Sequence, residues 1–321
     1  MLRPDARLRP IENAELEQRL AEARQRSPES AAWLGLVEAA LRESAHGKAW
    51  TAPRPAADRP ARAPLLHRSQ ISIDDRAVRR WVRRVVQLAA TLANGGGEGG
   101  EAAALRRVNV QRLDALLLLE AAVSQDDARV DAIAAAAGAG AEEGGAVPHA
   151  LRVVAQMAAL PLLQACGRAL AGEVQPTWWE GYCPVCGAWP TLAEFRGLER
   201  KRSLRCGRCG TGWEVPWLRC PYCDETNHEQ LGYLAPAEGG DTLKVEVCDT
   251  CKGYLKAQST VRALEPWAVL LEDLKTLPLD VAAVERGYQR PGRPGYALEA
   301  RLSAQRRRFW TIPLPLWARG S

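Results

Sequence analysis

Along the first 175 residues, apolar positions recur with a period near 3.6, and this spacing predicts helices. The clearest stripe is Val78, Trp81, Val82, Val85, Leu88, Ala89 and Leu92. Arg79, Arg80, Arg83 and Arg84 take the opposite face and read as a solvated surface. Ser72-Ile73-Asp74-Asp75 precedes the stripe as a loose capping box, and Asn94-Gly95 follows it as a stop signal. Ser27-Pro28 opens an earlier helix carrying Trp33, Val37, Ala40 and Leu41. Pro53, Pro55, Pro60 and Pro64 make residues 51–66 a loop or extended arm. A further helix is expected from about Ala102 to Val123. Its run Leu116–Leu119 is apolar all round, which places it at the centre of a bundle. An alanine-rich helix at 128–137 follows. Pro148 then opens a long helix to about Ala171, with a kink expected at Pro161. Cys166, on that helix, reads as a small buried hydrophobe.

After Pro176 the alternation changes. Short β-type pieces, turns and cysteines replace alanine-rich helix, and helical spacing returns only with Trp267, Leu270, Leu271, Leu274 and Leu277. A short helix is expected near 280–287, and a Pro-, Gly- and Arg-rich tail beyond Pro291, including Arg306-Arg307-Arg308-Phe309-Trp310, reads as a loosely held terminus. The expected fold class is α+β: a helical domain at 1–175, small four-cysteine modules of rubredoxin-like or zinc-ribbon-like plan at 176–216 and 217–263, and a C-terminal helical segment with the tail at 264–321.

Four C-x-x-C pairs give the middle region its chemistry: Cys183/Cys186, Cys206/Cys209, Cys220/Cys223 and Cys248/Cys251. A two-residue gap lets both sulfurs of one turn face the same ion, and two such turns complete a tetrahedral four-thiolate site. Disulfides and a redox-active dithiol are the competing readings of the same pattern. The gaps of nineteen residues after Cys186 and twenty-four after Cys223 each suit a hairpin between two turns, while only ten residues separate Cys209 from Cys220. Sequential pairing follows, with Cys183, Cys186, Cys206 and Cys209 at one metal and Cys220, Cys223, Cys248 and Cys251 at the other. Crossed pairing stays open, because spacing is a soft constraint. Four thiolates suit zinc or a single iron. Gly187 and Gly210, directly after second cysteines, allow a left-handed turn, and Arg205, Arg208 and Lys252 are candidates to offset thiolate charge.

Composition narrows the function classes. Of 321 residues 47% are hydrophobic, enough for a substantial core, and the net charge of +5 permits an acidic partner without demanding one. Eleven Trp stand against two Phe, and Trp178, Trp179, Trp189, Trp213 and Trp217 cluster near the first cysteines, where indoles can fill a small core. The polar, arginine-bearing Met1–Pro10 lacks the pattern of a signal peptide, and no apolar run is long enough to span a membrane, so a cytoplasmic location is expected. No catalytic motif emerges. His46, His67, His149 and His228 are scattered, with His228 the alternative ligand nearest a cysteine pair. Sites saturated by cysteine leave no position for substrate. Two alternatives to a protein-binding role remain: a zinc-ribbon nucleic-acid binder using Arg196, Arg200, Lys201, Arg202, Arg205 and Arg208, and a rubredoxin-like electron carrier.

Several stretches resemble the FdhE family of formate dehydrogenase accessory proteins. They are Cys183-Pro184-Val185-Cys186-Gly187 with Trp189-Pro190, Leu204-Arg205-Cys206 with Cys209-Gly210-Thr211 and Trp213, and the pairs Cys220-Pro221-Tyr222-Cys223 and Cys248-Asp249-Thr250-Cys251. Beyond these come Gly253-Tyr254-Leu255-Lys256, Glu265-Pro266, Asp273-Leu274, Thr276-Leu277, Leu279-Asp280, Glu285, Gly287-Tyr288 and Arg290. The resemblance covers about 175–290, and the tail after Arg290 departs from the short ending the family would have. It implies a helical domain followed by two rubredoxin-like modules. It further implies two bound metal ions, iron before zinc, and a maturation factor rather than an enzyme. The implied partner is the molybdenum- or tungsten-containing catalytic subunit of a respiratory formate dehydrogenase, bound in the cytoplasm before its twin-arginine export.

Overall fold

The protein is described by a computed structural model covering residues 13–304, except 27, 47–49, 51–52, 93–104, 107, 139–145 and 237–241. Two helices lead, α1 (Asn13–Arg26) and α2 (Ala31–His46), the second preceded by a 3-10 turn at Pro28–Ser30. Leu16, Leu20 and Ala23 on α1 and Leu34, Val37, Ala40 and Leu41 on α2 are buried at helical spacing. Strand β1 (Gln70–Ile73) buries Ile71 and Ile73 and leads straight into α3 (Asp75–Leu92). Asp74 caps α3, its Oδ1 accepting the Ala77 N–H at 3.0 Å, whereas Ser72 of the anticipated capping box is part of the strand. The α3 stripe is buried from Val78 to Ala89 as the periodicity predicts. Asn94-Gly95 lies outside the described residues.

The helix anticipated from 102 to 123 is interrupted: residues 105 and 106 are helical, residues 108–114 are not, and α4 (Ala115–Ser124) follows. The reason is local. Asp114 accepts the Leu116 and Leu117 N–H groups and starts a new helix, and the Asn109 side chain accepts from Gln111 in a turn before it. Leu118 and Leu119 are fully buried as anticipated, but Leu117 is 41% exposed, so α4 keeps one face at the surface. After α5 (Asp127–Ala136), the centre falls to α6 (Ala146–Leu170), which packs against α2, α3, α4 and α5 and continues through Pro161. It is apolar enough by length and composition to cross a membrane, but 78% of that window is buried inside the protein.

The cysteine region forms one six-stranded sheet. Its strands are β2 (Leu192–Arg196), β3 (Lys201–Arg205), β4 (Gly212–Glu214), β5 (Leu231–Leu234), β6 (Leu243–Cys248) and β7 (Tyr254–Thr260), in the order β4-β3-β2-β7-β6-β5. Each half is an antiparallel three-stranded unit, and the parallel pairing of β2 with β7 fuses them. The first strand of one half lies beside the last strand of the other. The halves therefore repeat by translation along the sheet rather than facing each other across a twofold axis.

Two helices, α7 (Val269–Lys275) and α8 (Leu277–Glu285), follow the sheet. Lys256 of β7, 1% exposed, reaches Asp273 and Asp280 on these helices at 2.7 and 2.6 Å. Arg290 closes the group by pairing with the same two carboxylates at 2.7 and 2.9 Å. Two cations and two anions balance, which is the condition for keeping such charge out of water.

The tail is held through Ala304, contrary to the expectation of a loose terminus. Strand β8 (Arg301–Ala304) pairs in parallel with β1, Leu298 and Ala300 are buried, and Tyr296 donates its backbone N–H to Gly187 at 2.9 Å. Proline and glycine suggested looseness, but β1 supplies a strand partner distant in sequence. Arg306 to Trp310 lie outside the described residues. One hydrophobic cluster runs from Leu16 through the first four cysteines to Ala300, and a small second cluster of Val245, Val247, Tyr254 and Ala283 lies under the other half-sheet.

Candidate metal centres

Each C-x-x-C pair forms the same tight turn. The first cysteine donates its N–H to the carbonyl five residues on: Cys183 to Ala188, Cys206 to Thr211, Cys220 to Glu225 and Cys248 to Gly253, at 2.8–3.0 Å. The residue after each second cysteine is left-handed, with φ of +71° at Gly187, +77° at Gly210, +63° at Asp224 and +55° at Lys252. The strands β2–β3 and β5–β6 are the hairpins that carry one turn of each half to meet the other.

The sulfurs of Cys183, Cys186, Cys206 and Cys209 all lie within 4.8 Å of one another, and so do those of Cys220, Cys223, Cys248 and Cys251. Sequential grouping is thus what the fold brings together, and His228 is exposed and outside the second group. Opposed sulfurs stand 3.4 Å (Cys183–Cys209) and 3.5 Å (Cys186–Cys206) apart in the first group. In the second, Cys220–Cys251 and Cys223–Cys248 are both 3.7 Å. A disulfide needs about 2.05 Å, and all nine cysteines are free. Four sulfurs at about 2.3 Å around one tetrahedral ion would be separated by about 3.8 Å. The donor set and its spacing therefore fit a four-thiolate ion in both places, with zinc and iron equally accommodated.

The electrostatics ask for a cation. Burial pushes the Cys183 and Cys209 thiols well above their usual range, while hydrogen bonds from Cys183, Cys186 and Cys209 hold Cys206 well below its own. In the second group burial raises Cys220 and lifts Cys251 to about 11. Cys248 is held low against its burial by the Cys251 N–H and the Cys223 sulfur. Four thiols this close cannot all ionise unless positive charge joins them. Backbone N–H groups supply part of it, Val185 to Cys183 Sγ at 3.4 Å and Cys209 to Cys206 Sγ at 3.5 Å.

The cationic side chains do not. Arg205 binds Glu194 and the Gly210 and Leu264 carbonyls, Arg208 binds Gln156 and the Ala122 carbonyl, and Lys252 pairs with Asp249. Arg202 is spent on Glu246 and on the Pro216 and Arg219 carbonyls. Three of the six residues of the anticipated basic strip are thus held internally, which removes half of the cations a phosphate backbone would need. The tryptophans divide: Trp178 and Trp213 are buried beside the first group, while Trp179 and Trp217 are each 57% exposed.

The two groups sit in different surroundings. The carbonyl of Cys209 touches α6 at Gly167, Leu65 and Leu66 of the proline-rich arm donate to the Pro184 and Val185 carbonyls, and the tail lies on Gly187. All four sulfurs of the first group are buried. In the second, Cys223 is exposed and Cys251 half-buried. Sequence reading missed Asp224 and Lys252 as left-handed positions, because glycine was the only signal it used there. It also missed Thr211, whose Oγ1 lies 3.1 Å from Cys209 Sγ and which a Cys-Gly-Thr run could have flagged.

Comparison with known proteins bears out the resemblance. Residues 218–295 match the family described as FdhE, C-terminal domain, a span that includes the whole second cysteine group, both C-terminal helices and Arg290. The chain is 34% identical over 119 residues to the Protein FdhE homolog of Rhizobium meliloti (strain 1021), 35% of this chain and 37% of that protein. It is 33% identical over 111 residues to Protein FdhE of Escherichia coli O127:H6, 34% and 35% of the respective chains. The aligned stretches thus span little more than a third of these relatives. The crystal structure of the FdhE protein from Pseudomonas aeruginosa is 22% identical, with a TM-score of 0.54 over 91% of this chain and 98% of that one, a likeness of fold.

Proposed function

We propose, from the match of residues 218–295 to the FdhE C-terminal domain, that this chain is an accessory protein in the maturation of formate dehydrogenase. On this reading it is a binding protein and not an enzyme. It binds the catalytic subunit of a respiratory formate dehydrogenase in the cytoplasm and supports its assembly before twin-arginine export. The domain limits anticipated from the sequence, 1–175, 176–216, 217–263 and 264–321, serve as labels for stretches of the chain, with the middle two sharing one sheet and the last strand paired to the first. Cys183, Cys186, Cys206 and Cys209 hold one metal ion and Cys220, Cys223, Cys248 and Cys251 the other, with iron favoured over zinc. Each would be a site with four protein donors and no vacant position, so the ions would hold the fold together rather than bind a substrate.

The observation that carries the reading is the family match itself, since it encloses the second sulfur group and the buried charge group of Lys256, Asp273, Asp280 and Arg290. The test is twofold. Tagged protein should retain the catalytic subunit of formate dehydrogenase from its host's extract, and deletion of the gene should abolish formate dehydrogenase activity. Intact activity in the deletion strain would overturn the role. Elemental analysis of protein purified without added metal should give two ions per chain and name the element.

A further inference from the structure

The four turns are alike in backbone, and the fold treats them differently. Cys186 and Cys223 hold the same position in their halves, yet Cys186 is 0% exposed and Cys223 lies at the surface. Cys209 and Cys251 correspond in the same way, one 1% exposed and the other half-buried. The turns of the first group are overlaid. A Cβ at Gly210 would come within 2.3 Å of Pro266, and one at Gly187 within 3.0 Å of Tyr296 and 3.2 Å of Pro64. At the matching places in the second group the chain carries Asp224 and Lys252, both exposed.

Their foundations differ too. The first four cysteines belong to the main core, continuous with α6, so releasing them means unpacking the molecule. Beneath the second group lies the small cluster of Val245, Val247, Tyr254 and Ala283. A segment with few buried apolar neighbours opens locally at low cost, without global unfolding. Ligand exchange at a thiolate centre also requires that an incoming group reach the sulfur or the ion, and only the second group offers that access.

We propose that the two centres have separate duties: the group at Cys220, Cys223, Cys248 and Cys251 is an exchange centre that opens at Cys223, and the group at Cys183, Cys186, Cys206 and Cys209 is a permanent part of the core. The inference rests on the metal reading given under Proposed function. Its ligand class is a soft, thiol-bearing acceptor or a chelator. Cys223 lets go first. With an ion bound, an incoming thiol would take that position and its proton would pass to Cys223, leaving sulfur count and charge unchanged; a chelator would take the ion itself, and the released thiolates would be protonated from solvent.

The test uses the full chain as purified under anaerobic conditions. Metal per chain is counted before and during incubation with EDTA, aliquots are pulsed with N-ethylmaleimide, and labelled cysteines are mapped by mass spectrometry. Metal should fall from two ions to one. Label should appear first on Cys223, then on its three partners, at least about tenfold faster than on the first group. Cys166, buried and outside both groups, reports global unfolding, and the first group should label only together with it. A Cys223→Ser variant should keep one ion, and its first group should stay as resistant to labelling as in the parent chain. Loss of both ions at one rate, retention of both, or earlier labelling of Cys183 or Cys186 would overturn the inference and leave the metal reading standing. Protein carrying no metal from the start would overturn that reading, and this one with it.

Discussion

Gly167 of α6 and the backbone carbonyl of Cys209 are in such close contact that a Cβ at Gly167 would lie 2.1 Å from the oxygen. The first cysteine group is therefore seated directly on the central helix of the bundle. Gly167→Ala should lift Cys209 off α6 and cost about 1–3 kcal/mol, the usual range for overpacking. Gly172→Ala, where nothing lies within 4 Å, should be near neutral. Urea unfolding of the two variants checks this, and equal midpoints would refute the contact.

Left-handed backbone follows every second cysteine, but only the first group also requires the absence of a side chain. Gly210→Ala should cost about 1–3 kcal/mol for crowding against Pro266, with roughly 1–2 kcal/mol more for the left-handed angle. Asp224→Gly should cost no more than the loss of its exposed ion pair with Arg219, under about 1 kcal/mol, since glycine adopts the same angle freely. Thermal melts of both variants, with metal counts, give the comparison. An Asp224→Gly loss as large as that of Gly210→Ala would refute the difference between the two groups.

What could be read from the sequence was local. Two-residue cysteine gaps fix which sulfurs share a turn, and the stripe from Val78 to Ala89 fixes the buried face of α3, because neither depends on distant chain. The parallel β2–β7 pairing that fuses the halves joins residues far apart, as does the β1–β8 pairing that anchors the tail. No periodicity announces such pairs. Asp114 marks the other limit: one carboxylate capping two N–H groups overrode a run of leucines that suggested a longer helix. Arg202 and Arg205 looked like surface charge, and only the fold shows Glu246 and Glu194 waiting for them.

Lys256 is the most enclosed cation in the buried charge group, with Asp273 and Asp280 as partners and Arg290 beyond them. Removing one member of such a group leaves a buried charge poorly compensated, at a cost of about 3–5 kcal/mol. Lys256→Met should fall at the lower end, because Arg290 still contacts both carboxylates. Asp280→Ala should cost more, since Lys256, Arg290 and the Tyr254 hydroxyl all converge on Asp280. Denaturant midpoints that do not move would mean the group contributes nothing to holding α7 and α8 on the sheet.

His67 ties the tail to a titratable group. Its Nδ1 accepts the Glu299 N–H at 3.3 Å, and its ring meets Tyr296 edge-on at 5.1 Å. Burial holds the imidazole below its ordinary value of 6.5, with Arg68 and Arg59 adding to the effect and Glu299 opposing it. The unfolded chain therefore takes up the proton at a higher pH than the folded one. The stability that neutral His67 confers is complete above about pH 6.5 and declines as pH falls from there through the lower folded value. Protonation also puts a hydrogen on the nitrogen that receives Glu299, so the tail at 291–304 should become protease-sensitive at about pH 5 while resisting at about pH 7.5. His67→Gln, which keeps an acceptor and cannot titrate, should flatten that profile. If the variant and the parent chain lose the tail over the same pH range, His67 is not the group that holds it.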